Sequence, residues 1–149
     1  MNIMNFEAIR NLIESHREII NLSAFGKGVS EEWIEKAEVR LGVSFPPSYR
    51  WWLRNYKGGE INGCEIFSVY ELDFDSVVGG DVVYMNELER KDGTFASNQL
   101  VIQHSDFGED YFFALDECDA NGECPVYVAP MYQKYADNFL QFLEKKINE

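Results

Sequence analysis

The sequence predicts an α+β fold in which helices at the N-terminus and a closing C-terminal helix cover a central antiparallel or mixed β-sheet. Apolar residues recur at helical spacing in the first third of the chain and again near its end. Between these regions, short apolar runs alternate with turn residues, which is typical of strands. The 149 residues contain no linker or internal repeat, so we expect one domain over residues 1–149.

Three helices are predicted before residue 58. Helical spacing of apolar residues places them at about 6–20, 30–41 and 47–57. Ser30 is a favoured N-cap residue and Gly42 suits the left-handed end of the second helix.

After residue 58 the apolar pattern shortens to the length of strands. We expect a helix over 81–90 and a final helix over 135–147, where apolar residues again recur every three or four positions. The predicted strands lie at Ile61, 63–69, 100–103, 111–115 and 126–129.

Acidic residues are concentrated in the middle of the chain. Residues 58–133 contain 16 Asp and Glu but only two basic residues, Arg90 and Lys91, whereas residues 1–57 carry a net charge of +1 and residues 134–149 are neutral. Like charges repel one another, so this concentration favours a positively charged partner, with a solvated surface that aids solubility as the alternative. Nucleic acids and membrane surfaces are disfavoured as partners because both select basic faces.

The cysteines and the N-terminus bear on the expected location. No positively charged segment followed by an apolar run suggests a signal peptide, and no apolar stretch approaches the ~20 residues of a membrane span. We therefore expect a cytoplasmic protein with Cys64, Cys118 and Cys124 as reduced thiols. The spacing of Cys118 and Cys124 would nevertheless allow a disulfide.

Motifs for metal binding and catalysis are incomplete. Residues 117–122 fit the opening of a calcium loop, but Val128 stands where the loop requires a bidentate Glu. His104, Asp106 and Asp110 could offer metal ligands, yet neither a Cys-x-x-Cys nor a His-Glu-x-x-His motif is present. Nucleophile elbows and phosphate loops are also missing from the sequence. We expect no metal, no cofactor and no enzymatic activity.

Two predicted turns supply the candidate contact residues for a basic partner. The first turn carries Asp106, Glu109 and Asp110, and the second carries Asp116, Glu117, Asp119 and Glu123. If the intervening strands are neighbours, the turns lie at opposite ends of a shared strand, so one compact patch is not required. Trp51 and Tyr84 are candidate aromatic anchors, although Trp51 could equally pack against a second helix face.

A series of landmarks follows a fixed order through most of the chain, from about Ser30 to Leu143. The landmarks include Leu-Gly at the end of a helix, a Pro-x-Ser-Tyr helix start, paired glycines before a strand and a later Pro-Val strand. The residues that carry them are Trp33, Leu41, Gly42, Pro46, Tyr49, Leu53, Gly58, Gly63 and Pro125. Together they resemble the SUKH superfamily, the Smi/Knr homology domain.

The resemblance implies an α+β domain without enzymatic activity. Many relatives are bacterial immunity proteins that neutralise a cognate toxin, often a nuclease, and others are regulatory or scaffold proteins. Combined with the acidic segment, this implies a basic toxin domain as partner. A scaffold that binds an endogenous protein and a small-ligand-binding domain are the alternatives. The landmark residues are of structural types and do not mark a partner site.

Overall fold

A computed structural model describes residues 5–22 and 27–149. Within these residues there are five helices and seven strands. The helices are α1 (Phe6–Glu14), α2 (Glu31–Leu41), α3 (Pro47–Tyr56), α4 (Val82–Lys91) and α5 (Phe139–Asn148). The strands are β1 (Ile20–Leu22), β2 (Gly59–Ile61), β3 (Cys64–Ile66), β4 (Gln99–His104), β5 (Asp110–Ala114), β6 (Val126–Ala129) and β7 (Gln133–Ala136).

The seven strands form one sheet in which every strand pairs with its neighbours along the chain, in the order β1 to β7. All of these pairings are antiparallel. This arrangement confirms the predicted α+β class and selects the antiparallel form of the sheet.

Aromatic side chains join one face of the sheet to α3 and α5. The Tyr49 ring meets those of Phe113 on β5 and Phe139 on α5 at centroid distances of 5.7 and 5.3 Å. The Tyr49 hydroxyl donates a hydrogen bond of 2.5 Å to the carbonyl oxygen of Phe67, so this buried polar group is satisfied.

Helix α4 lies against β4. The amide of buried Asn86 donates to the carbonyl oxygens of Val82 and Val101 and accepts from the N–H of Val101, at 2.8–2.9 Å. These bonds fix the helix to the strand.

Helix ends agree with the residues that cap them. Ser30 accepts a hydrogen bond from the Trp33 N–H, and Gly42 ends α2 with a φ of 70°. Helix α3 differs, since Pro46 at its N-cap position has no side-chain hydrogen bond. Another part of the chain supplies that cap, as described below.

Two predicted helix boundaries are wrong. The first helix ends at Glu14 rather than near residue 20, because Ile20 pairs with Ile61 as part of β1. The final helix begins at Phe139 rather than 135, because Asn138 caps it while Ala136 pairs with Val126 in β7. In both places strand pairing overrides a helical spacing of apolar residues.

The prediction of three reduced cysteines is also wrong. Cys118 and Cys124 form a disulfide, and Cys64 is the free cysteine among the described residues. The bond closes the turn between β5 and β6. None of the helices in the described residues has the length and apolar character needed to cross a membrane.

Candidate protein-binding surface

The two acidic turns lie at opposite ends of β5. The first turn precedes Asp110 and the second follows Ala114, and four residue steps in a strand separate them by about 14 Å. The expectation of a shared strand is therefore confirmed, and the predicted acidic residues form two groups.

In the first turn, the fold itself engages two of the three carboxylates. Asp110 contacts Nδ1 of His104, whose Nε2 lies 3.2 Å from Glu89. Glu109 accepts a 3.4 Å hydrogen bond from the Tyr111 hydroxyl. Asp106 is exposed at the tip of the turn.

The second turn is closed by its own bonds. The Asp119 carboxylate accepts hydrogen bonds from the backbone N–H groups of Asn121, at 2.8 Å, and Glu123, at 3.1 Å. The Cys118–Cys124 disulfide joins the two sides of the same turn. Asp116 and Glu117 precede this closed segment and are exposed.

Glu123 is a buried structural residue and is not part of the exposed acidic surface. Its side chain is buried and accepts hydrogen bonds from the Ser48 backbone N–H at 3.0 Å and the Ser48 hydroxyl at 2.6 Å. The carboxylate therefore caps the N-terminus of α3, where the helix dipole favours negative charge. Burial raises the pKa of Glu123, while the hydrogen bonds from Ser48 act in the opposite direction. We leave Glu123 out of the proposed contact surface.

The two predicted anchors also take part in packing. Trp51 is buried and its ring stacks on that of Phe6 with centroids 5.0 Å apart, so it belongs to the second packing face of α3. Tyr84 is half-buried in the first turn of α4, where its N–H donates to the Asp81 carboxylate. Trp51 is unsuitable as an exposed anchor.

Sequence reasoning missed a concave site. It lies on the face of the sheet opposite to the one that packs against α3 and α5, because successive strand residues point to opposite faces. Its floor is Phe112 on β5, whose ring meets those of Tyr127 at 6.0 Å and Tyr132 at 5.7 Å. Asp116 and Glu117 complete the wall of a cavity of about 170 Å³. We call these five residues the acid–tyrosine pocket. The signal that could have revealed it is one aromatic residue in each of the two neighbouring strands, Phe112 on β5 and Tyr127 on β6, which pair directly across the sheet.

Hydrogen bonds orient the acidic wall of the pocket. The Tyr127 hydroxyl donates to Glu117 Oε1 at 2.7 Å, and the Asn98 amide donates to Asp116 Oδ2 at 3.3 Å. The bond to Glu117 raises the pKa of Tyr127. The tyrosine therefore stays protonated and keeps the carboxylate beside its ring.

Charge on the pocket is not neutralised from within the described residues. No Lys or Arg of 5–22 or 27–149 forms an ion pair with Asp116, Glu117 or Asp119. Lys134 lies opposite Tyr127 across β6 and β7, but its Nζ binds Asp137 at 2.7 Å. Elsewhere in the acidic segment the fold supplies cations, for example Arg40, which binds Asp75 and Glu87. Lys134 still interacts electrostatically with Glu117, so the second acidic turn lacks an ion-paired cation among the described residues but is not free of positive charge nearby.

A model of the family described as SMI1-KNR4 cell-wall matches residues 31–143. This match runs from the start of α2 into α5 and includes every landmark residue from Trp33 to Pro125. The chain belongs to the SUKH superfamily. Membership is consistent with a protein-binding role of the immunity type and gives the SUKH assignment a basis independent of the acidic segment.

The landmark residues of this SUKH domain support its fold. Tyr49 and Leu53 are buried in the core, as is Leu41 at the end of α2. Gly63 has a φ of 82° in the turn between β2 and β3, a conformation that favours glycine. None of these residues lines the acid–tyrosine pocket, which agrees with their structural types.

The SUKH domain also has an apolar groove on the outer side of α2. Trp33, Val39 and Phe74 line a shallow space of about 540 Å³, and the Val39 side chain is 82% exposed. Lys36 and Arg40 border the groove, but both bind carboxylates of this chain. The groove is thus apolar, with its cations already neutralised.

Metal-ligating residues do not converge in the part of the chain that the structure describes. No group of three or more His, Cys, Asp or Glu side chains there is placed to hold a metal ion.

Proposed function

We propose that this SUKH domain is a cytoplasmic immunity protein that binds a cognate basic toxin domain, with a nuclease as the toxin class. Binding is stoichiometric and non-enzymatic. The domain occupies the nucleic-acid-binding surface of the toxin, where carboxylates take the place of phosphates. A nuclease needs a positively charged surface for its substrate, so an acidic inhibitor matches it in charge.

The observation that carries the proposal is an acidic turn without an ion-paired cation among the described residues, beside the partly exposed ring of Tyr127 and the exposed ring of Tyr132. Charge complementarity accelerates encounter, and buried aromatic contacts provide affinity. In the acid–tyrosine pocket the two are adjacent, since Asp116 and Glu117 border the rings of Phe112, Tyr127 and Tyr132. The Asp119 hydrogen bonds order the turn before binding, which reduces the entropy lost in the complex.

The apolar groove of α2 favours a second candidate, a scaffold domain that binds an endogenous protein. Exposed Val39 beside Trp33 and Phe74 gives a contact surface that needs no charged partner. A scaffold complex at this groove would be insensitive to salt, because the screening of exposed charges leaves apolar burial intact.

Affinity capture with matched charge variants tests the proposal. The bait carries Asp116→Asn with Glu117→Gln, and the control bait carries Glu18→Gln with Glu144→Gln, two exposed acids elsewhere on the surface. Both baits lose the same charge. Proteins from the source cells are retained at about 0.05 M and about 0.15 M salt, where the Debye length shortens from about 14 to about 8 Å, and are identified by mass spectrometry.

We expect one basic protein to be retained in a 1:1 ratio by the unmodified and control baits and lost with the pocket variant. Purified, that partner should cleave nucleic acid and stop doing so when the domain is added. A partner without toxin activity, retained equally by both variants, would contradict the proposal and favour the scaffold. A changing mixture of basic proteins that salt removes would show that the acidic turn is generic surface.

A further inference from the structure

Within its own fold, this protein already holds a cation between tyrosine rings. The rings of Tyr111 and Tyr135 meet at 4.9 Å on the helical face of the sheet. The Lys146 ammonium from α5 lies 3.8 Å from the Tyr111 centroid and 5.1 Å from that of Tyr135. Glu109 and Glu149 accept hydrogen bonds from the two tyrosine hydroxyls. Cation, aromatic rings and carboxylates thus form one closed cluster.

The opposite face repeats this arrangement without the cation. Tyr127 and Tyr132 border the Phe112 ring, and Glu117 accepts the hydrogen bond of the Tyr127 hydroxyl. Among residues 5–22 and 27–149 no Lys or Arg lies over the ring of Tyr127 or Tyr132.

We propose that the acid–tyrosine pocket takes one arginine side chain of the basic partner. This inference rests on the proposed function and specifies its contact. The guanidinium stacks on the tyrosine rings and donates hydrogen bonds to Asp116 and Glu117. The aromatic rings can stack on the flat face of the guanidinium, and the carboxylates can accept hydrogen bonds from the N–H groups along its edge.

Size and hydration select arginine over the other candidates. The cavity of about 170 Å³ lies below the roughly 300–1,000 Å³ of small-molecule pockets, and it suits a single side chain. A lysine ammonium is a compact, strongly hydrated charge and cannot stack, whereas arginine loses less hydration and binds two carboxylates at once. Lys146 can bind between Tyr111 and Tyr135 because α5 already holds it there. A lysine from a partner would not be held in place in this way.

Titration with blocked amino acids tests the pocket without knowledge of the partner. The probe is N-acetyl-argininamide, with N-acetyl-lysinamide and the uncharged isostere N-acetyl-citrullinamide as comparators. Signals of the Tyr127 and Tyr132 rings and of the Asp116 and Glu117 amides are followed by NMR on the full chain. We expect saturable shifts for arginine with a Kd near ~1 mM, as its size allows. Lysine should bind at least about threefold more weakly, and citrulline should give no saturable shift.

Variants locate the binding. Tyr132→Leu and Glu117→Gln should each weaken arginine binding about threefold to tenfold, while Val39→Ala in the α2 groove leaves it unchanged. Both pocket residues are exposed, so the folded spectrum should persist. Absent shifts at the pocket, equal binding of arginine and citrulline, lysine binding as tight as arginine, or arginine binding unaffected by Tyr132→Leu would each overturn the inference.

The two proposals fail separately. If the capture experiment retains a basic toxin while arginine does not bind the pocket, the proposed function stands and the arginine contact is wrong. If arginine binds the pocket while no basic partner is retained, the immunity function is wrong and the pocket has another cationic occupant.

Discussion

Loss of the hydrogen bonds between Glu123 and Ser48 should lower the free energy of unfolding more than loss of most other polar contacts in the protein. The two residues are 75 positions apart, and Ser48 is fully buried. Glu123→Ala removes the acceptor of the Ser48 N–H and of the Ser48 hydroxyl. A buried donor left unsatisfied costs about 1–3 kcal/mol, while removal of a buried charge returns part of that. We expect a loss of about 3 kcal/mol in the free energy of unfolding.

A double-mutant cycle separates this contact from other effects of truncation. Ser48→Ala keeps the backbone N–H bond and loses only the hydroxyl, so it should cost about 1–2 kcal/mol. The double variant should lose less stability than the sum of the two single variants, by about 1 kcal/mol or more. The reason is that the contact between the Ser48 and Glu123 side chains can be lost only once. Asp116→Ala is the control, an exposed acid before the same turn, expected within about 0.5 kcal/mol of the parent.

Urea unfolding followed by the fluorescence of the buried Trp52 gives these free energies. Two results would refute the reasoning. One is a Glu123→Ala variant as stable as Asp116→Ala. The other is strict additivity of the Ser48 and Glu123 changes, which would mean that the two side chains do not interact in solution.

The pH dependence of stability provides a second test of the same contact. Burial raises the folded-state pKa of Glu123 above its ordinary value of 4.5. Between 4.5 and the raised value the folded carboxyl holds more protons than the unfolded one, so its contribution to stability falls as pH rises. Glu123→Gln does not titrate and keeps an oxygen acceptor for Ser48. The stability of the parent relative to this variant should therefore decrease as pH rises through that window, and a flat difference would contradict the burial of the carboxyl.

Three further predictions concern other parts of the fold. Replacing Cys118 and Cys124 by Ala should cost about 2 kcal/mol, from the chain entropy of a short loop, and thiol alkylation of the unreduced parent should label Cys64 alone. Gly28→Ala places a Cβ 2.1 Å from the carbonyl oxygen of Leu53, so the thermal midpoint should fall by well over the roughly 2–4 °C expected for Ala8→Gly, which loses only helix propensity in α1. Asn86→Ala leaves the buried N–H and C=O of Val101 on β4 unpaired and should cost about 2–4 kcal/mol by urea unfolding; a loss under about 1 kcal/mol would show that water replaces the amide.

Fold class and most elements could be predicted from local pattern. Helices α2 and α3 have a strong apolar spacing together with Ser30, Gly42 and Pro47 at their ends, and these signals lie within a few residues of one another. Strands β1 and β7 could not be predicted, because each has three or four residues and depends on a partner strand. Ile20 joins the sheet only by pairing with Ile61, which is 41 positions away.

The candidate surface was predictable in charge but not in detail. Composition located the acidic turns, whereas the burial of Glu123 depends on Ser48, a residue with no sequence relation to it. The sequence alone does not distinguish an exposed acidic residue from a buried one, because the hydrogen-bond donor that permits burial can lie far away along the chain. The aromatic floor also escaped prediction, because Tyr132 reaches Phe112 only after the chain reverses between β6 and β7.

The turn between β5 and β6 contains one set of buried residues and one set of exposed residues. Glu123 and Cys124 are buried and hold the turn to the domain, while Asp116 and Glu117 are exposed and make only surface hydrogen bonds, with Asn98 and Tyr127. Exposed positions of this kind tolerate substitution because surface hydrogen bonds contribute little to stability. If the partner that we propose changes, the exposed residues can therefore be substituted one at a time without loss of the folded domain, whereas Glu123 and Cys124 are constrained by their role in the fold.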